Sequence, residues 1–281
     1  MKVDHERKVI TFRQSDLDTY ATCPERARVK WFEAGPDGAT DATATGSALH
    51  YPIEVNLQRR KVGGDALTTT EMIDIAKAEY ERIEREEGIR YVKEDKRSAM
   101  LYLEMGIPAW RREIEPHIAI GPDLHIEEHF DVHLMKWGEW EIRLAGTPDC
   151  VDRYHPWDWK TAAQGYKQWE KQRWAIQPTV YAHAAVTLGW LKWPVKFKYG
   201  VIEKFKTKEV ASIVTVMRDA EHVDWLCQQI NSILVLWAKL GERGPWPLVD
   251  AHALCSEKWC TNWSNCKGKI IPAGKFMWKA T

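Results

Sequence analysis

Residues 146–162 read GTPDCVDRYHPWDWKTA. They place two aspartates and a lysine, Asp149, Asp158 and Lys160, within one short stretch, with Pro148 ahead of the first and Trp159 between the last two. The six residues VDRYHP lie between Cys150 and Trp157, so a strand ending near Cys150 must turn at once, and Pro156 helps it to do so. On the returning strand side chains alternate, which puts Asp158 and Lys160 on one face and Trp159 on the other. Each charge taken alone reads as a solvated side chain at a hairpin. Taken together, clustered carboxylates are the ligands a hard divalent cation prefers, and a lysine beside them can stabilise charge or orient water.

Working outward, HIEEHFDVHLM (125–135) has the period of a half-buried strand, with Ile126, Phe130, Val132 and Leu134 on one face. Glu128 falls on that apolar face, where a carboxylate is costly unless paired or holding a metal. His125, His129 and His133 fall on the polar face and read as solvated. EWEIRLAGTPD (139–149) continues as a second strand and DWKT (158–161) as a third. VKFKYGVIEK (195–204) and KEVASIVTVM (208–217) give two more.

Helical patterns surround the strands. SDLDTYATCPERARVKWF (15–32) opens on Ser15 and Asp18 as a capping pair and is started afresh or kinked at Pro24. TATGSALHYPIEVNLQRR (43–60) carries His50 and is interrupted by Pro52. TTTEMIDIAKAEYERIEREEG (68–88) and RSAMLYLEMGIPAWRREIEPH (97–117) follow, and residues from about 65 to 117 read as a charged helical insert. YKQWEKQRWAIQPTVYAHAAVTLGW (166–190) is kinked or interrupted at Pro178, and an amphipathic helix spans about 217–240. The fold class expected is α/β (α+β): a central mixed sheet flanked by helices, with the insert and a cysteine-rich C-terminal staple. One domain over 1–281 is expected, with a core over about 118–216 and a helix plus cysteine tail over 217–281.

The 281 residues balance 40 Lys and Arg against 40 Asp and Glu, so phosphate contacts must come from a local patch and not from a basic coat. There is no amino-terminal apolar run and no stretch long enough to span a bilayer, which reads as a soluble, cytoplasmic protein without a membrane partner. In that compartment six cysteines read as thiols or metal ligands. Cys150 and Cys227 read as packed thiols. His50, with Gly46 and Ala48 before it, offers an imidazole that tolerates manganese as well as magnesium. Lys167, Lys171 and Arg173 interleave with aromatics in YKQWEKQRW (166–174) and form the preferred DNA-contacting face. Arg26, Arg28 and Lys30 make a second basic patch. Among sixteen tryptophans, Trp157, Trp159, Trp169, Trp174, Trp190 and Trp193 are expected near the acidic stretch, where aromatic faces can stack on unpaired bases.

These residues resemble the PD-(D/E)XK nuclease superfamily, and within it the RecB-like branch that includes phage exonucleases and CRISPR-adaptation nucleases. The signature stands as Pro148-Asp149 and Asp158-Trp159-Lys160, flanked by YATCPERARV with Cys23, GSALH with His50, Glu128, and QPTVY with Gln177 and Tyr181. The interval from Asp149 to Asp158 is shorter than the family usually shows. The resemblance implies a restriction-endonuclease-like core and a Mg2+ or Mn2+ ion held by His50, Asp149, Asp158 and the main-chain carbonyl of Trp159. It makes Lys160 the catalytic lysine, Glu128 a support for the metal, and Gln177 and Tyr181 groups that position the lysine, the metal-bound water or the DNA strand, with Gln177 among the DNA-binding residues. The implied activity is a metal-dependent deoxyribonuclease, an exonuclease of phage or mobile-element recombination, repair or end processing in a prokaryotic or phage-infected cell. A DNA-binding accessory protein of the same fold is the alternative. DNA, single-stranded or with duplex ends, is the partner, along with recombination or CRISPR-adaptation-like proteins. Relatives with an iron-sulfur cluster use one cysteine before the core and three after it, as Cys23, Cys255, Cys260 and Cys266 stand here, so a four-iron, four-sulfur cluster is expected, with zinc as the other thiolate-bound metal.

Overall fold

The structure, a computed structural model, describes residues 1–33, 38–249, 255–256, 260 and 262–266. The chain divides into two compact units, each built from separated segments. The architecture is mixed α/β, with two sheets where the sequence suggested a single central one.

The first unit takes residues 1–36, 135–142 and 227–281. It begins with an antiparallel hairpin, β1 (Lys2–Asp4) and β2 (Val9–Arg13), that the sequence reading did not anticipate. Ile10 and Phe12 alternate into the core along it, and Lys8 turns at a φ of 55°. The adjoining ends of β4 (Phe130–Trp137) and β5 (Trp140–Gly146) complete a sheet in the order β1-β2-β5-β4. Helices α1 (Gln14–Thr22) and α2 (Pro24–Phe32) meet at Cys23, where Pro24 starts the second helix at a position that needs no donor. α1 opens one residue before the expected Ser15, because Asp16 accepts from the Arg13 amide at 2.8 Å. Arg28 is buried and clamped by Glu25 through two hydrogen bonds of 2.7 and 2.9 Å, so it takes no part in a basic surface patch. The same Glu25 accepts from the Trp246 amide at 2.7 Å and seats that indole against Trp31 and Tyr20.

The second unit takes residues 37–134 and 143–226. Its sheet runs β3 (His125–Ile126), β6 (Cys150–Val151), β7 (Pro156–Ala162), β8 (Val195–Glu203) and β9 (Ala211–Arg218). All neighbours are antiparallel except β7 and β8, which are parallel and therefore need a crossover. α6 (Gln168–Trp174) and α7 (Gln177–Thr187) supply it. The break between them falls at Ala175–Ile176, and Pro178 sits in the first turn of α7, where a proline is tolerated.

α3 (Asp41–Lys61) is continuous through Pro52, because Leu49, Ile53 and Leu57 bury both of its halves in the same core. α4 (Thr69–Glu86) is capped by Thr68 and Glu71 acting reciprocally, and α5 (Lys96–Glu113) by Asp95. The charged segment read as an insert keeps its charges outside apart from Glu115, which is buried against Asn56 and Arg60. Its buried Met72, Tyr80, Leu103 and Trp110 join Trp157, Trp159 and Ile202 of the sheet in one apolar cluster. The last long helix, α8, spans Ala220–Leu240. Among the described residues no helix is long and apolar enough to cross a membrane.

Candidate metal and catalytic site

The turn between β6 and β7 is built by Asp152. Its Oδ1 accepts from the amides of Tyr154 and His155 at 2.8 and 2.7 Å, and its Oδ2 accepts from the Trp157 indole at 3.0 Å. The short connection is thus closed by one carboxylate, and the register it sets pairs Cys150 with Trp157. One step further along the same ladder, Asp149 stands beside Asp158, and Asp149 accepts from the Trp159 amide. On the other side, β3 pairs Ile126 with Cys150, so one step further Glu127 stands beside Asp149. The Glu127 amide donates to the Asp149 carbonyl at 3.2 Å. Residues opposite one another in a ladder project to the same face. Glu127, Asp149 and Asp158 therefore form a row of three carboxylates across three strands.

Here the sequence reading is corrected. Residues 125–135 are not one strand: the chain bends at Glu127, which has a φ of 46°, and β4 begins only at Phe130. Glu128 is turned outward, with half of its side chain exposed, and pairs with His125 at 2.7 Å. His125 is not simply solvated either, since its ring stacks on Trp190 at 4.0 Å. Adjacent glutamates gave no local signal for choosing between them. The choice is made by the bend and by the ladder to β6.

α3 brings His50 over this row, its Nδ1 lying 3.2 Å from Asp149 Oδ1. Among the described residues, His50, Glu127 and Asp149 form a group of donor atoms within 4.8 Å of one another. Gly46, one turn before His50, is under no steric demand, since a Cβ there would meet its nearest neighbour at 3.9 Å. Asp158 adjoins this group and is buried. Its Oδ1 accepts from Gln177 Nε2 at 2.6 Å, and its Oδ2 lies 2.5 Å from Lys160 Nζ. Tyr181, one turn along α7 from Gln177, donates to the Thr147 carbonyl at 3.1 Å and packs edge-on to Phe130.

The electrostatics follow from this crowding. Burial, reinforced by the negative charge of Asp149, pushes the Glu127 carboxyl up to about 8. Burial likewise pushes Asp158 up to about 6 despite the nearby ammonium. For Asp149, burial is outweighed by His50, Lys160 and the Trp159 amide, and its pKa falls. Burial opposes the charged forms of His50 and Lys160, but the neighbouring carboxylates prevail and raise both. An imidazole and a row of two buried carboxylates and one half-buried carboxylate that repel one another are the donor set of a hard divalent cation, whose charge would remove that repulsion. The residues fit such an ion.

A profile of the PD-(D/E)XK nuclease superfamily matches residues 11–267 of this sequence. The chain belongs to that superfamily. Among solved structures, this PD-(D/E)XK protein is similar to a candidate exonuclease from Eubacterium rectale, with a TM-score of 0.56 at 14% identity over 91% of this chain and 92% of the other. That likeness speaks for the fold. No curated protein sequence matches it.

The other expected residues of this PD-(D/E)XK chain are not part of that donor group. Lys167 is exposed and pairs with Glu170 at 3.2 Å, Lys171 Nζ sits 3.7 Å over the Tyr166 ring, and Arg173 lies beside the Trp174 ring. Trp157 and Trp159 are buried, whereas Trp169 and Trp174 are exposed. Cys23 is half-buried at the joint of α1 and α2, and Cys255, Cys260 and Cys266 are also half-buried. Among the described residues these four thiols form no group at metal-ligand spacing. Most of the tail between and beyond them lies outside the described residues.

Proposed function

We propose that this protein is a divalent-metal-dependent deoxyribonuclease acting on DNA ends, with Mg2+ or Mn2+ as its ion. The observation that carries the reading is the row Glu127, Asp149 and Asp158 under His50, with Lys160 projecting from the same strand face as Asp158. His50, Glu127, Asp149 and Asp158 would hold the ion, together with the main-chain carbonyl of Trp159. A divalent ion bound there polarises a phosphoryl oxygen and makes water a better nucleophile at neutral pH. Lys160, ion-paired and cationic, offsets the charge that develops on the phosphoryl oxygens. Gln177 fixes the Asp158 carboxylate, and Tyr181 fixes the chain at Thr147 just before the signature proline. The buried Trp157 and Trp159 close the opposite side of β7 to water.

Cleavage of end-labelled DNA with Mg2+ or Mn2+ tests this. Asp158→Ala and Lys160→Ala should each lose at least about a hundredfold in rate with folding unchanged. Activity that survives both changes would remove the assignment. Glu127→Gln should weaken metal-dependent activity by about ten- to hundredfold or more, whereas Glu128→Gln should leave it unaltered. Equal effects of the two would mean that the bend at Glu127 does not set the ligand.

Exonuclease action in phage or mobile-element recombination, repair or end processing, with recombination or CRISPR-adaptation-like partners, is supported by the order of the signature residues along the chain. A thiolate centre on Cys23, Cys255, Cys260 and Cys266, iron-sulfur or zinc, has sequence order as its support. Iron and zinc analysis of anaerobically purified protein tests it, and metal-free protein would remove it.

A further inference from the structure

α6 is an unusual helix. None of its seven residues is buried, so apolar packing does not hold it in place. Polar clamps hold it instead. The Gln172 amide exchanges two hydrogen bonds with the Met217 backbone, at 3.1 and 2.9 Å. Arg218, itself buried at the end of β9, donates to the carbonyls of Lys171, Gln172 and Ala175 at 3.3, 3.1 and 2.9 Å, and to Thr179 Oγ1 at 2.9 Å. These bonds satisfy the carbonyls at the carboxyl end of α6 and tie it to the first turn of α7, where Gln177 reaches Asp158. The helix is thus registered to the carboxylate row while Trp169, Arg173 and Trp174 stay exposed on it.

Those side chains include Trp169 and Trp174, each 58% exposed. Their rings meet edge to face, with centroids 5.3 Å apart and planes at 66°, so the edge of one abuts a single face of the other and the two do not stack face to face. Exposing two indoles forfeits the burial that tryptophan ordinarily provides. Lys167 and Arg173 flank them, and Glu170 is the sole carboxylate between residues 166 and 175. Aromatic faces beside cations, three residues ahead of a group that touches Asp158, suit a strand whose bases are unpaired, since paired bases keep their faces inside the duplex stack.

We infer that Trp169 and Trp174 form a stacking platform for unpaired bases, so that the strand entering the site is single-stranded DNA. The inference rests on the nuclease reading above and names the substrate of that site. Binding of a dye-labelled oligothymidylate and of a blunt duplex of equal length, measured by anisotropy in chelator to prevent cleavage, tests it. Wild type should favour the single strand. Trp169→Ala and Trp174→Ala should each weaken single-strand binding by about tenfold and leave duplex binding unaltered. The corresponding Trp→Phe changes should retain most of the affinity. The losses should persist across salt concentrations, whereas the loss from Arg173→Ala should vary with salt. Wild-type preference for duplex, or alanine variants that bind the single strand like wild type, would overturn the platform while metal-dependent cleavage still upheld the nuclease. A protein that neither binds nor cleaves DNA would overturn both.

Discussion

Two pairs of tryptophans, close together in the chain, have opposite fates. Trp157 and Trp159 lie on β7 with almost no exposure, whereas Trp169 and Trp174 lie on α6 with most of their surface in water. The strand pair is held by apolar packing: Trp159 meets Trp110 of α5 edge to face at 5.8 Å and lies against the bare backbone of Gly200 on β8. The helix pair rides on an element held by an arginine and a glutamine. The same residue type therefore serves as the wall behind the carboxylates in one place and as an open surface in the other. The difference is set by what lies underneath, not by the side chain.

That contrast can be broken or sharpened by substitution. Trp159→Ala should cost about 3–5 kcal/mol, read by denaturant unfolding, because it empties the centre of a core shared by α3, α4, α5 and the sheet. A cost under about 1 kcal/mol would mean that the wall is not packed as described. Gly200→Ala should cost about 1–3 kcal/mol, since a Cβ there would stand 2.6 Å from the Trp159 ring and the indole has no room to yield. Arg218→Met should leave the β7 core intact but strip the carboxyl end of α6 of its donors, at about 1–3 kcal/mol locally. Limited proteolysis should then cut first between about 163 and 175, and cleavage elsewhere would argue that α6 is held by other means. The smallest effect belongs to Trp169→Ala, whose folding stability should stay within about 0.5 kcal/mol of wild type.

Much of the site could be read from local pattern. Alternation along β7 places Asp158 and Lys160 together and turns Trp157 and Trp159 the other way, and the structure has that arrangement. Pro24 and the Thr68 and Glu71 pair mark helix starts for reasons internal to a few residues. The misreadings share a different origin. Alternation through residues 125–135 selected Glu128, because nothing local announces a positive φ at Glu127. Pro52 was read as an interruption, but burial on both sides of it carries the helix through. Arg28 has the local pattern of a surface cation, but Glu25 holds it buried. The β1–β2 hairpin is marked locally only by the alternation of Ile10 and Phe12, two apolar positions in a run of five residues.

The sequence by itself determined the tight β6–β7 turn, the face of β7 that carries its charges, and the residue types a divalent ion requires, because each follows from covalent geometry within one short segment. Only the tertiary structure decided that Glu127 completes the row, that His50 covers it, and that α6 stands open beside it on the clamp of Arg218. Those outcomes depend on lateral register between strands and on burial of a charge far along the chain, and neither leaves a mark in the local pattern of residues.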